Sequence, residues 1–261
     1  MSGRTRTMMS WLVVALLAAT FVPVASADEA VDKAFAALAG YDWGSDRAAI
    51  KPIDDAVVGS HGDDAAREAL EGRLAEVLAG DAPQAAKDYV CRQLSLIGTA
   101  KCVPAVAALL GDEKLSHMAR FALERIPDAA AVAAMRDALP NVSGKVKIGV
   151  INSLGVRRDA ESVSALAGLL GDGDVQIAAA AAGAIGAIGN GDAAKALAGF
   201  DAPEALVLAV ADAQLACAEQ LLADGKKLDA VKIYTALSKP EMPKHIRVAA
   251  TRGRLAALKA K

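Results

Sequence analysis

The sequence predicts an all-α protein, a right-handed α-solenoid in which short helix pairs stack on one another. Residues 111–172 contain one pattern twice, "GDEKLSHMARFALERIPDAAAVAAMRDALPN" and then "VINSLGVRRDAESVSALAGLLGD". Each copy is an apolar helix pattern, a short polar or Pro-bearing turn, a smaller apolar helix pattern and a stop. So small a unit cannot bury its own apolar face and must stack on copies of itself. Four such units align: Leu94, Leu123, Leu154 and Ile185 fall in register at spacings of 29, 31 and 31 residues. Their second helices end on coincident breaks, "LLGD", "ALPN", "LLGD" and "AGFD". Aromatic residues are only 3% of the chain while Ala dominates, so the core must come from closely approaching helices with small side chains between them.

Taken in order, residues 1–27 read as a secretory signal peptide. Arg4 and Arg6 open it, an apolar run covers residues 11–22, and Ala25-Ser26-Ala27 is a small-x-small cleavage site before Asp28. No Cys stands at that site to carry a lipid. No later segment combines 18 apolar residues with a lack of charge, so no stable membrane insertion is expected once the leader is gone. The chain is expected in the periplasm or outside the cell. Residues 28–261 carry 27 basic and 31 acidic side chains, a balance that disfavours a nucleic-acid partner.

Residues 28–82 form an N-terminal lead-in and the first helix pairs. A helix over residues 29–39 stops at Gly40, a second starts near Pro52, and a third runs over residues 63–79 between an Asp cap and Gly80. In the third, Leu70, Leu74, Val77 and Leu78 share one face and Glu and Arg take the other. The regular array spans residues 83–201, opening at Pro83 behind an Asp81 cap. Residues 202–261 depart from the unit: one long helix over 203–224, then Gly225, a helix over 227–238, Pro240 and Pro243, and a last helix over 244–259.

The segments "GDEKLSHMARFALERI" and "GDGDVQIAAAAAGAIGAIG" resemble HEAT repeats of the short bacterial kind described as phycobilisome-lyase-like. That resemblance covers residues 51–201 and implies an armadillo-like helical scaffold, in exported proteins where the array stands alone or precedes a carbohydrate-active or haem-carrying domain. It is specific for fold and not for activity. Ala218, Leu221, Gly225, Ala230, Tyr234, Leu237 and Pro243 are spaced as in a tetratricopeptide repeat, and a generic helical cap accounts for the same segment equally well.

No convergent chemistry is legible. His61, His117 and His245 lie far apart in a fold whose distant units do not touch, which leaves no zinc site or catalytic dyad. Asp172-Gly173-Asp174 starts like a calcium loop, but Ile177 and an Ala run follow where further oxygen ligands belong, and a helix stop followed by an N-cap explains the same letters. Of the three cysteines, Cys91 and Cys102 are the one plausible bridge, although they fall at different heights on successive helices. Buried small hydrophobes is the alternative reading. Ala178 to Ala182 with Gly183 and Gly186 permits very close helix contact.

Arg157-Arg158-Asp159 is the most charged turn between helices. With Arg136 it is the candidate partner contact: these arginines either hold a carboxylate or phosphate of a partner or link one unit to the next. The second helices, expected to line the concave side, leave Pro104, Arg136, Asp137 and Glu161 outward once Val103, Val106, Leu109, Val132, Met135, Val163 and Leu166 are assigned to the core. That groove lacks the aromatic or Arg cluster of a tight interface. The expected function is an exported scaffold that mediates protein–protein interaction, with no catalysis and no cofactor of its own. The alternative is a non-catalytic portion or subunit of an exported carbohydrate-active or redox enzyme system. A lyase acting on a tetrapyrrole would rest on the family label alone.

The register makes a direct prediction. Placing a carboxylate at the aligned core position with Leu154→Asp costs several kcal/mol, and thermal melting followed by circular dichroism is expected to show loss of the whole cooperative transition; an unchanged melt would contradict the alignment.

Overall fold

The computed structural model describes residues 27–259, and the predicted leader therefore lies outside the described residues except for Ala27. Among the described residues the chain is helical without a strand. The α-helices in order are α1 (Ala27–Leu38), α2 (Lys51–Gly59), α3 (Asp64–Ala79), α4 (Gln84–Ile97), α5 (Val103–Ala107), α6 (Ser116–Leu123) and α7 (Ala129–Ala138). They continue with α8 (Gly144–Val156), α9 (Val163–Gly168), α10 (Val175–Ile188), α11 (Gly191–Gly199), α12 (Val207–Ala223), α13 (Lys227–Leu237) and α14 (Lys244–Lys259).

The starts follow local chemistry. Asp63, Asp128, Asp174 and Asn190 are N-caps whose side chains accept a backbone N–H of the first turn of α3, α7, α10 and α11, the role short polar side chains play at helix starts. Pro52 and Pro104 sit in the first turns of α2 and α5, where a missing N–H costs nothing. Gly80 closes α3 as expected, in an extended conformation (φ −89°, ψ −174°). Other ends differ from expectation. The N-cap of α4 is Pro83, not Asp81. The expected helix over 203–224 opens with a 3-10 turn, Glu204–Leu206, before α12 begins.

Packing follows the alignment. In the series α4, α6, α8, α10 and α12, each helix packs on the next, and Leu94, Leu123, Leu154 and Ile185 on the first four are all 0% exposed. The shorter helices α5, α7, α9 and α11 lie beside this series; α5 touches α7 and α9 touches α11. Full burial of each aligned Leu or Ile is worth about 1.5–3 kcal/mol. One hydrophobic cluster runs from Ala34 in α1 to Ala257 in α14. The segment Glu204–Ala223 is long and apolar enough by composition to cross a bilayer, yet α12 packs against α10, α11, α13 and α14 and buries Val210, Ala211, Cys217 and Leu221 among them.

Two contacts bring backbones unusually close. A Cβ on Gly155 of α8 would lie 2.9 Å from Ala184 Cα of α10, and one on Gly186 of α10 would lie 2.6 Å from the Ala213 carbonyl oxygen of α12. Gly183, expected to share in this approach, faces open space with nothing within 4 Å; three residues before Gly186, it points about 60° to the side of that contact. Glu71, expected on the polar face of α3, is 1% exposed. Its place three residues before Leu74 and seven before Leu78 puts it on the apolar stripe.

The two glycines of α10 therefore separate cleanly. Gly186→Val forces side-chain atoms into backbone and should destabilise by about 2–3 kcal/mol or more. Gly183→Ala gains roughly 0.5–1 kcal/mol of helix propensity. Paired urea melts test this, and equal midpoints for the two variants would contradict the close contact with Ala213.

Candidate functional site

Of the three arginines singled out by sequence, Arg136 lies in the last turn of α7 and Arg157 and Arg158 directly follow α8, in different circumstances. The register places Ile97, Ile126, Arg157 and Ile188 at equivalent positions, each three residues beyond its aligned core residue. The three isoleucines are buried. Arg157 instead turns its guanidinium back onto the exit of α6, donating to the carbonyls of Leu123 (3.2 Å), Ile126 and Asp128 (3.3 Å). It thereby satisfies acceptors that a helix end leaves without partners. Arg136 of α7 pairs with Asp159 (2.6 Å) and with Glu161 (2.9 Å). Asp159 also accepts from the Ser162 hydroxyl. Its hydrogen bond to Asp159 pushes the Arg136 guanidinium above the ordinary arginine range, with burial opposing.

Arg158 is different. Its φ is +53°, the left-handed region, and it is the one non-glycine in that region among the described residues. One unit later the equivalent residue is Gly189, with φ +63°, which closes α10 as glycine ordinarily closes helices. The Arg158 side chain is 46% exposed, with Nη2 3.8 Å from Asp224. A non-glycine held there costs of order 1 kcal/mol.

Sequence reasoning missed a set of polar ties between units. Asp54 of α2 accepts from the Tyr89 hydroxyl and Gln93 Nε2 of α4, both at 2.9 Å. Burial, then the hydrogen bond to Asp54, pushes the Tyr89 phenol well above its ordinary range. Glu71 accepts the N–H groups of Thr99 (2.7 Å) and Cys102 (3.0 Å) where the chain enters α5. Arg120 of α6 lies across Gly149 of α8 and donates to its carbonyl and to Ser153 Oγ, each at 3.2 Å. Ser153 donates to Glu124 at 2.6 Å, and Arg120 Nε is buried without a partner. Burial lowers the Arg120 pKa, with Glu124 opposing. A Cβ on Gly149 would sit 2.6 Å from Arg120 Cζ, a signal that sequence alone carries only as an unexplained helical glycine.

The remaining candidates resolve locally. His61, His117 and His245 are exposed. Asp172 accepts the Asp174 N–H at 2.9 Å and Asp174 accepts the Gln176 N–H at 2.8 Å, a turn followed by a cap. Among the described residues no cluster of three or more His, Cys, Asp or Glu side chains gathers to hold a metal. All three cysteines are free and buried, so Cys91 and Cys102 do not form the bridge. Desolvation pushes the Cys91 and Cys102 thiols up to about 12 and Cys217 up to about 11.

A cleft of about 720 Å³ lies among α1, α2 and α3. Val31, Pro52, Ala56, Ala69 and Leu70 line it together with Asp28 and Asp55. Arg73 also borders it, held by Asp32 at 2.9 Å and stacked over the Phe35 ring at 4.0 Å. No family model and no curated protein matches the chain.

Raised, buried thiols are poor nucleophiles. In the folded protein all three cysteines should resist a thiol reagent such as DTNB at pH 8 and react together in denaturant. Because the folded pKa values lie above the unfolded value of about 8.5, the thiol contribution to stability is whole below that pH and declines as pH rises toward 11. Rapid native-state labelling of any one thiol would contradict this burial.

Proposed function

We propose that the chain is an exported α-solenoid of HEAT-like helix pairs, closed by a tetratricopeptide-like or capping end, that acts as a non-catalytic scaffold for another protein. The observation that carries this reading is the regular succession of helix pairs, with the aligned residues equally buried and side chains of one unit tied to the next. Such stacking builds an extended surface from repeated turns, the usual binding device of repeat proteins. The same fold hosts many functions, so the proposal rests on the site and not on the HEAT resemblance alone.

Within the arginine cluster, Arg158 is the side chain best placed to meet a partner. Arg136 and Arg157 spend their donors on the chain's own carboxylates and carbonyls. Arg158 is half exposed in a backbone conformation that glycine would adopt more cheaply. A residue retained at such a cost points to a role that glycine could not fill. Its guanidinium would hold a carboxylate of the partner.

The test is capture from envelope extract with tagged chain starting at Asp28, followed by mass spectrometry. The expected result is recovery of a specific protein, with Arg158→Gly raising stability by up to about 1 kcal/mol while reducing recovery at least fivefold. Stoichiometric recovery of one exported enzyme would assign the accessory-subunit role instead. A more stable Arg158→Gly protein with undiminished capture would move the contact away from this turn.

A further inference from the structure

The two ends of the chain are opposites in charge and in shape. Residues 28–82 hold thirteen acidic and five basic side chains, whereas α14 holds five basic and no acidic ones. Through Ile246, Ala250 and Ala257, α14 packs inward on α12 and α13. Helical spacing places Lys244, Val248, Arg252, Leu255 and Lys259 together on its opposite side, and all five are exposed. Val248 and Leu255, seven residues apart, are 43% and 51% exposed. Apolar anchors at that spacing are the form in which a helix lies in a groove. The opposite end of the chain has the cleft among α1, α2 and α3, lined mainly by apolar residues together with Asp28, Asp55 and Arg73; Arg73 is held by Asp32 and Asp55 by Lys51, within a region of net negative charge.

We infer that the outward face of α14 seats in the α1–α3 cleft of a second copy of this chain, giving a head-to-tail contact. Val248 and Leu255 meet the small apolar residues of the cleft, while Lys244, Arg252 and Lys259 meet the acidic N-terminal region. An anionic bilayer is the other surface that a basic, partly apolar helix would suit. Residues 28–243 carry 31 acidic and 21 basic side chains, so such a bilayer would repel the body to which α14 is fixed. A second copy matches both the charge and the apolar anchors. Because the two patches differ, the contact does not close on itself: each added copy leaves one cleft and one helix open, and assembly proceeds as an open series.

This inference names a partner for the scaffold reading and rests on it only in treating the protein as an interaction module. A monomeric protein that still captures an envelope protein would lose the head-to-tail contact alone. A protein that self-associates and captures nothing would lose the other reading alone.

Sedimentation equilibrium of the purified chain from Asp28 onward tests it. At low salt the average mass should climb past that of a dimer with concentration, and the apparent association constant should drop at least tenfold in high salt, where exposed charges are screened. Leu255→Asp on α14 and Ala69→Glu in the cleft, both at exposed positions, should each leave the circular dichroism spectrum unchanged and the protein monomeric. Mixed together, they retain one working cleft and one working helix, and should form a complex that stops at two copies. A wild-type protein monomeric at every concentration and salt would overturn the inference, as would assembly that persists in both folded variants. Binding of monomeric wild type, but not Leu255→Asp, to phosphatidylglycerol vesicles would assign the helix to a bilayer and overturn it as well.

Discussion

The close approach of α8, α10 and α12 is the constraint on which the rest of the packing depends. At Gly155 against Ala184, and at Gly186 against Ala213, there is no room for a Cβ on the glycine. Helices this close gain dispersion contacts along their backbones without large side chains. That accounts for a core built from Ala178, Ala181, Ala182 and Ala211, all nearly inaccessible, in a chain with so few aromatic residues. It also fixes where bulk is allowed. The aligned Leu94, Leu123, Leu154 and Ile185 supply that bulk and are all fully buried.

An interface of small apolar residues is close but not specific, since one alanine face slides over another with little penalty. The buried polar ties supply what the alanines lack. Asp54 to Gln93, Glu71 to Thr99 and Cys102, Arg120 to Gly149 and Ser153, and Arg157 to the exit of α6 each join one unit to the next. A slip by one residue would leave the buried carboxylate of Glu71, or acceptors at the end of α6, without partners, and such groups cost about 1–3 kcal/mol each when orphaned. Apolar contact thus holds the helices together, and polar pairing selects one register.

The division between what the sequence makes legible and what it hides follows the same physics. Helix limits were legible because caps and prolines act over a few residues: the structure has Asp63 and Asp174 capping as the sequence indicates. The aligned core was legible because burial recurs with the unit. The ties were not, because Glu71 or Arg120 reads as a solvated charge until the facing unit brings Thr99 or Gly149 against it. Gly183 and Gly186 look alike in sequence and differ only in which way each faces, and Gly155 gave no sign of its contact with Ala184. Arg157 and Arg158 read as one charged turn, whereas the first is turned inward and the second outward.

The interior of the chain and its ends face different physical problems. An interior helix such as α8 has neighbours on both sides, α6 and α10, so its small residues and polar ties are matched twice over. Among the described residues, α1 packs on α2, and α14 packs on α12 and α13. α14 carries five basic groups and leaves Val248, Leu255 and Leu258 outward. The N-terminal helices are acidic and keep an apolar cleft. Like charge at both ends would have barred one copy from approaching another end to end; opposite charge removes that barrier. The exposed apolar residues of α14, the N-terminal cleft and the charge asymmetry of the chain therefore bear on the same surfaces, and together they favour contact between unlike ends over contact between like ones.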